Sequence, residues 1–245
     1  QVFHRHIPVL VPLVEAAVCD PFYKIATEAL LVLQQMVKVM RPLDLQVNFD
    51  FTPFVGNIYN CTLQKLKSSE VDQEVRERAI ACMGQIVSNM GDVLQPELGT
   101  CLPIFMERLK NDVTRLSSVK ALTMIAASPL RVNLSPIMED VVPALGSFLR
   151  KNQRALKLNS LTLLDTLIIN YSNFISPRLL QLAITEIPPL VSEQDLHVAQ
   201  LSLVLLTSTA KMKAEALVQD AEPLLAKILR LLESPLLQGK FSFID

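Results

Sequence analysis

The stretch VRERAIACMGQI, Val75 to Ile86, decides the fold. Val75, Ala79, Cys82, Met83 and Ile86 stand at i, i+4, i+7, i+8 and i+11. That spacing puts all five on one side of a helix. The same stripe recurs as Ile25, Ala29, Val32, Leu33, Met36 and as Ser117, Ala121, Met124, Ile125, Ser128. It returns as Leu156, Ser160, Leu163, Leu164, Leu167 and as Val198, Ser202, Leu205, Leu206, Thr209. The second position is always Ala or Ser, as a close helix crossing requires. The residue after it is always aliphatic (Leu30, Ile80, Leu122, Leu161, Leu203) and lies ~120° further around the helix. A second buried face follows, so these helices are sandwiched.

Working outward, the small anchors fall about 40 residues apart. Ahead of each lies another apolar segment: IPVLVPLVEAAV, FVGNIYNCTLQKLK, CLPIFMERLK, VVPALGSFLR and LAITEIPPLV. Pro12, Pro103, Pro143 and Pro188/Pro189 predict a bent first helix, because an interior Pro removes a hydrogen bond. Short polar turns join the two helices of a pair, each offering Asp, Asn or Ser as an N-cap. Ser69 with Asp72 and Ser192 with Asp195 resemble capping boxes. Two helices per unit at this period is the HEAT or armadillo signature, and tight turns with bent first helices favour HEAT.

The expected fold is therefore all-α: a single HEAT-repeat α-solenoid over 1–245, a right-handed superhelix of antiparallel helix pairs. The repeats span 3–41, 51–93, 97–128, 135–172, 176–213 and 220–245, the last incomplete. Its helix AEPLLAKILRLL lacks a partner behind it, which exposes Leu224, Leu225, Ile228 and Leu232 and predicts fraying or self-association. RPLDLQVNFDFTP, Arg41 to Pro53, reads as a loop between the first two repeats, and no β-alternation is long enough for a sheet. A four-helix bundle is the competing architecture, but it does not predict five matching stripes.

Composition bounds the function. The chain is 50% hydrophobic and 19% charged, with mean hydropathy +0.35 and net charge −1, too apolar for disorder. Charge-free spans such as Val198 to Ala210 run to about 13 residues, short of the ~18 needed to cross a bilayer. No signal-like segment opens the chain, and a start at Gln1 reads as an excerpt. Cys19, Cys61, Cys82 and Cys101 are widely spaced without CxxC, which predicts reduced thiols in the nucleus or cytoplasm.

Catalytic chemistry has little to stand on. His4 and His6 form HxH without further ligands at helical spacing, which reads as a frayed terminus rather than a metal site. His197 begins a helix beside Asp195. Glu70, Asp72, Glu74 and Glu77 interleave with Arg76 and Arg78, the mark of a solvated helix face. No phosphate-binding loop or nucleophile motif appears. No enzyme activity and no cofactor are expected. A helical-repeat base-excision enzyme would need a catalytic carboxylate in a basic, aromatic groove, and none is visible.

One charged stretch remains. FLRKNQRALKLNSL carries Arg150, Lys151, Asn152, Arg154 and Lys157 at a corner and on the second helix of a pair. These residues read either as a solvated corner or as a ridge meeting an acidic protein surface. Nucleic acid is the weakest alternative, since no basic stripe runs through the repeats and the chain has no Trp to stack on bases.

DPFYKIATEALLVLQQMVKVMRPLD, DQEVRERAIACMGQI, MERLKNDVTRLSSVKALTMIAASPL, FLRKNQRALKL and SPLLQG resemble the middle repeats of the cullin-associated neddylation-dissociated proteins, the TATA-binding-protein-interacting 120-kDa family. LDLQVNFDF and VSEQDLHVAQ are more similar to the second vertebrate paralogue than to the first. The resemblance implies a HEAT scaffold without catalytic residues that binds unneddylated cullin–RING ligases. It would regulate their assembly and receptor exchange, with TATA-binding protein as another partner and neither nucleic acid nor membrane. After SPLLQG the chain reads KFSFID, a departure from the family pattern. The alternative for an anonymous HEAT array is a transport or trafficking adaptor.

Overall fold

The structure is a computed structural model that describes residues 2–68 and 72–234. Ser69, Glu70 and the segment KFSFID lie outside the described residues. Two compact units divide the chain, Gln1–Asn133 and Leu134–Asp245.

The first unit holds α1 (Ile7–Val18), α2 (Tyr23–Met40), α3 (Thr52–Lys67), α4 (Gln73–Met90), α5 (Leu98–Lys110) and α6 (Arg115–Ala126). They form three hairpins in two layers. α2 packs on α4 and α4 on α6, while α1, α3 and α5 line the other side. α4 is the most enclosed element: every residue from Cys82 to Met90 is buried. The expected second face is real here, because Ile80 is buried beside the stripe of Val75, Ala79, Cys82, Met83 and Ile86. The small residues permit close crossing. A methyl group on Gly84 of α4 would sit 2.8 Å from the Ala121 Cβ of α6.

Polar ties cross the same contacts about one repeat apart. Ser128 Oγ donates to the Ser88 carbonyl at 2.5 Å, and Ser88 Oγ donates to that of Met124 at 3.2 Å. Arg108 Nη2 donates to the Leu66 carbonyl at 2.8 Å. The thiols of Cys61 and Cys82 are pushed up to about 12 and that of Cys101 to about 11, all by burial, while Cys19 is exposed. All four cysteines are free.

The second unit holds α7 (Met138–Leu149), α8 (Arg154–Tyr171), α9 (Pro177–Ile184), α10 (Leu196–Lys213) and α11 (Ala221–Leu232). α7 packs on α8 and α9, and α8 on α10. α11 rests on a 3₁₀ turn, Ala214–Asp220. The stripes from Leu156 and Val198 are buried throughout.

Several expectations need correction. The fifth first helix is broken rather than bent: α9 ends at Ile184 and a 3₁₀ turn covers Pro188–Leu190. Tandem prolines remove two N–H donors, so a regular helix ladder cannot run on through Pro188 and Pro189. In α2, Ile25 and Val32 are exposed, because among the described residues no helix covers that side. Leu203 is only half-buried for the same reason. On α11, Leu225 and Leu232 are exposed as expected, but Leu224 is buried against the unit and Leu229 is exposed instead. Asp195, rather than Ser192, caps α10. Asp72 likewise caps α4. At the other corners Asp20 and Asn111 accept from N–H groups within the turn. His4 is not frayed, because it bonds the Val39 carbonyl at 2.7 Å and stacks on Phe49 at 4.5 Å.

A candidate protein-contact ridge

The corner between α7 and α8 is built by the end of one helix and an uncapped start of the next. α7 closes at Leu149, and the Lys151 N–H returns to the Phe148 carbonyl at 3.1 Å. Gln153 stands at the N-cap of α8 without a side-chain bond. Arg150 and Lys151 therefore sit where a helix C-terminus favours cations, whereas Arg154 opens a helix N-terminus that disfavours one.

That conflict is resolved by a carboxylate from the next corner. Arg154 donates through Nε to Asp195 Oδ2 at 2.5 Å and through Nη2 to Oδ1 at 3.2 Å. Asp195 Oδ1 also accepts from the N–H groups of His197 and Val198, both at 3.2 Å. The Arg154 bond, then the Val198 N–H, holds the Asp195 carboxyl down at about 2, and the same pairing raises Arg154. Arg150 pairs with Glu186, again on the following repeat. Two of the four cations are thus ties within the protein.

The rest of the ridge is free. Lys151 and Asn152 are exposed and Lys157 is half-buried, with no ion pair or side-chain bond among the described residues. Asn152, Arg154 and Lys157 border an open cleft of about 230 Å³ whose floor includes Pro189, Leu190 and Val198. Glu186 and Asp195 are the residues that sequence reading missed as partners. Their signal was positional: they lie 36 and 41 residues after the arginines they hold, about one repeat on.

A further ion pair is structural in the first unit. The guanidinium of Arg41 clamps Asp92 at 2.5 and 2.8 Å and donates to the Asn89 carbonyl at 3.0 Å. This clamp lowers the Asp92 carboxyl. Among the described residues, no group of three His, Cys, Asp or Glu side chains is placed to hold a metal ion, and no helix is long and apolar enough to cross a membrane.

A family model described as "CAND1-like, TPR repeats" matches residues 1–83. The chain is 66% identical over 98% of its length to "Cullin-associated NEDD8-dissociated protein 1" of Drosophila melanogaster. It is 47% identical over 97% of its length to "Cullin-associated NEDD8-dissociated protein 2" of Mus musculus. It spans 19% of the length of each of these relatives. The higher identity lies with the relative numbered 1, against the expected likeness to the second paralogue. Among solved structures, a designed armadillo repeat protein superposes with a TM-score of 0.67 at 15% identity, covering 92% of this chain and 93% of that one. That likeness shows a helical-repeat fold.

Proposed function

From the premise that this chain belongs to the family of the cullin-associated NEDD8-dissociated proteins, we propose that it is a stretch of non-catalytic scaffold that associates with cullin–RING ubiquitin ligases lacking NEDD8. In that role it helps regulate ligase assembly and the exchange of substrate receptors. The observation that carries this reading is 66% identity sustained over 98% of the chain. The fold supports it, since stacked helix pairs offer a long contact surface rather than an enclosed pocket. The reading assigns the chain to the nucleus and cytoplasm, in keeping with its free thiols. TATA-binding protein is a second partner under the same reading, and neither nucleic acid nor membrane is.

The test is interferometry of the chain against purified cullin–RING complex, unmodified and carrying NEDD8. Binding that prefers the unmodified complex supports the scaffold role. The free cations sharpen it: Lys151→Glu with Lys157→Glu weakens binding if the corner is a contact. Absence of binding to either form overturns the reading for this stretch.

A further inference from the structure

The insertion between the first two helix pairs departs from the repeat pattern, and its middle is built unlike the rest of the unit. Val47, Phe49 and Phe51 are half-buried, whereas Asn48 and Asp50 are exposed. That alternation has the period of a strand. Among the described residues no strand lies beside it. From Pro42 to Asp50, no backbone N–H or carbonyl is hydrogen-bonded to another group among the described residues.

The segment is nonetheless fixed in place. Phe49 stacks between His4, at 4.5 Å, and Phe54, at 6.1 Å. Downstream, the Arg41 guanidinium lies 4.8 Å over Phe51 while it clamps Asp92. An extended main chain is thus presented with its donors and acceptors open and part of its ordering cost already met. Beside it runs an open groove of about 440 Å³, walled by Leu43, Val47, Phe49, Pro129 and Leu130.

We propose that Val47–Phe51 and this groove are a docking site for an extended segment of a partner protein, which adds to the chain as a strand. Open main-chain groups favour a strand over a helix, whose own backbone bonds are already used internally. The groove takes an aliphatic side chain from the incoming segment. Asp44 and Asp50 are exposed along the segment, Asp50 while also accepting from the Thr52 N–H at 3.1 Å, so the residues facing them carry Lys, Arg or Thr. The same acids disfavour a second copy of this chain, because like charges come opposite one another in a self-paired strand. The proposal rests on the reading that this chain docks proteins, and it names one place and one mode.

A synthetic peptide of alternating valine and lysine is the probe, added to the full chain and followed by amide exchange at single-residue resolution. A bound strand protects amides of one parity only, either Val47, Phe49 and Phe51 or Asn48 and Asp50. The same peptide with its paired amides N-methylated binds roughly tenfold more weakly or worse. No protection with peptide in excess overturns the site, and so does equal protection of both parities. The peptide decides this site whether or not the cullin–RING complex binds by interferometry, so the two readings fail separately.

Discussion

The corners α5–α6 and α7–α8 are the same length and place an arginine at the same point, yet the two arginines do opposite things. Each connection runs four residues, 111–114 and 150–153, and each second helix opens on Arg, Arg115 or Arg154. Arg115 turns back and is buried: Nε donates to the Leu109 carbonyl at 3.2 Å and Nη2 to that of Lys110 at 2.9 Å. Thr114 Oγ1 adds a bond to the Arg108 carbonyl at 2.7 Å, so the open end of α5 is closed by its own corner. Arg154 instead reaches forward, exposed, to Asp195 of the next repeat. The position of the carboxylate decides between them. The first corner holds Asp112, which pairs with Arg115, where the second holds Lys151. Denied an acid at home, Arg154 finds one about a repeat away.

The largest effect expected from this contrast falls on the buried side. Arg115→Ala leaves the carbonyls of Leu109 and Lys110 without their charged donor in a dry corner. Such losses cost about 2 to 3 kcal/mol, readable as a lower urea midpoint. A change under about 0.5 kcal/mol would erase the distinction between the corners, since that is the scale of an ordinary surface substitution.

A smaller effect separates the two members of the exposed pair. Asp195→Ala removes both the tie to Arg154 and the N-cap of α10, because one carboxylate serves both. Arg154→Ala removes only the tie, and it also relieves a cation at the N-terminus of α8. Asp195→Ala should lower the thermal midpoint by about 2 to 4 °C. Arg154→Ala should lower it by less than half of that, and less again in high salt, where exposed pairs are screened. Equal shifts would mean that capping contributes nothing beyond the pair.

What the sequence made legible was the part that repeats. The stripes from Val75, Leu156 and Val198 are buried in every member, and Ala121 does meet another helix at the close range its size allows. Periodicity carries that information because each stripe answers the same neighbour. Exposure of Ile25 and Val32 was not legible, since a stripe does not reveal whether a helix lies in front of it. The ridge was half legible. Its cations were visible as a cluster, but Glu186 and Asp195 enter through packing between repeats, which places residues 36 and 41 positions apart side by side. Aligning each corner with the one after it would have exposed both acids. The strand-like run at Val47–Phe51 escaped because five residues of alternation are too few to signal a sheet, and here they form none.

The smallest effect is a titration, and it bears directly on where the carboxylate sits. The Asp195 carboxyl is held down from an ordinary 3.8 to about 2. A depressed carboxylate contributes stability that is in full force above about pH 4 and is lost as pH falls toward 2. Carbon NMR of the Asp195 carboxyl should therefore find its midpoint near 2 in the natural chain. In Arg154→Ala the midpoint should rise but stop short of 3.8, because the His197 and Val198 N–H groups still favour the charged form. Lys151→Asp supplies at the second corner the acid that Asp112 supplies at the first. If location decides, Arg154 is drawn back toward residue 151, and Asp195 titrates between the other two values. A midpoint unchanged from the natural chain would show that α10 holds Asp195 so firmly in line with Arg154 that a nearer acid cannot compete, and the fate of each arginine would then follow from helix placement alone.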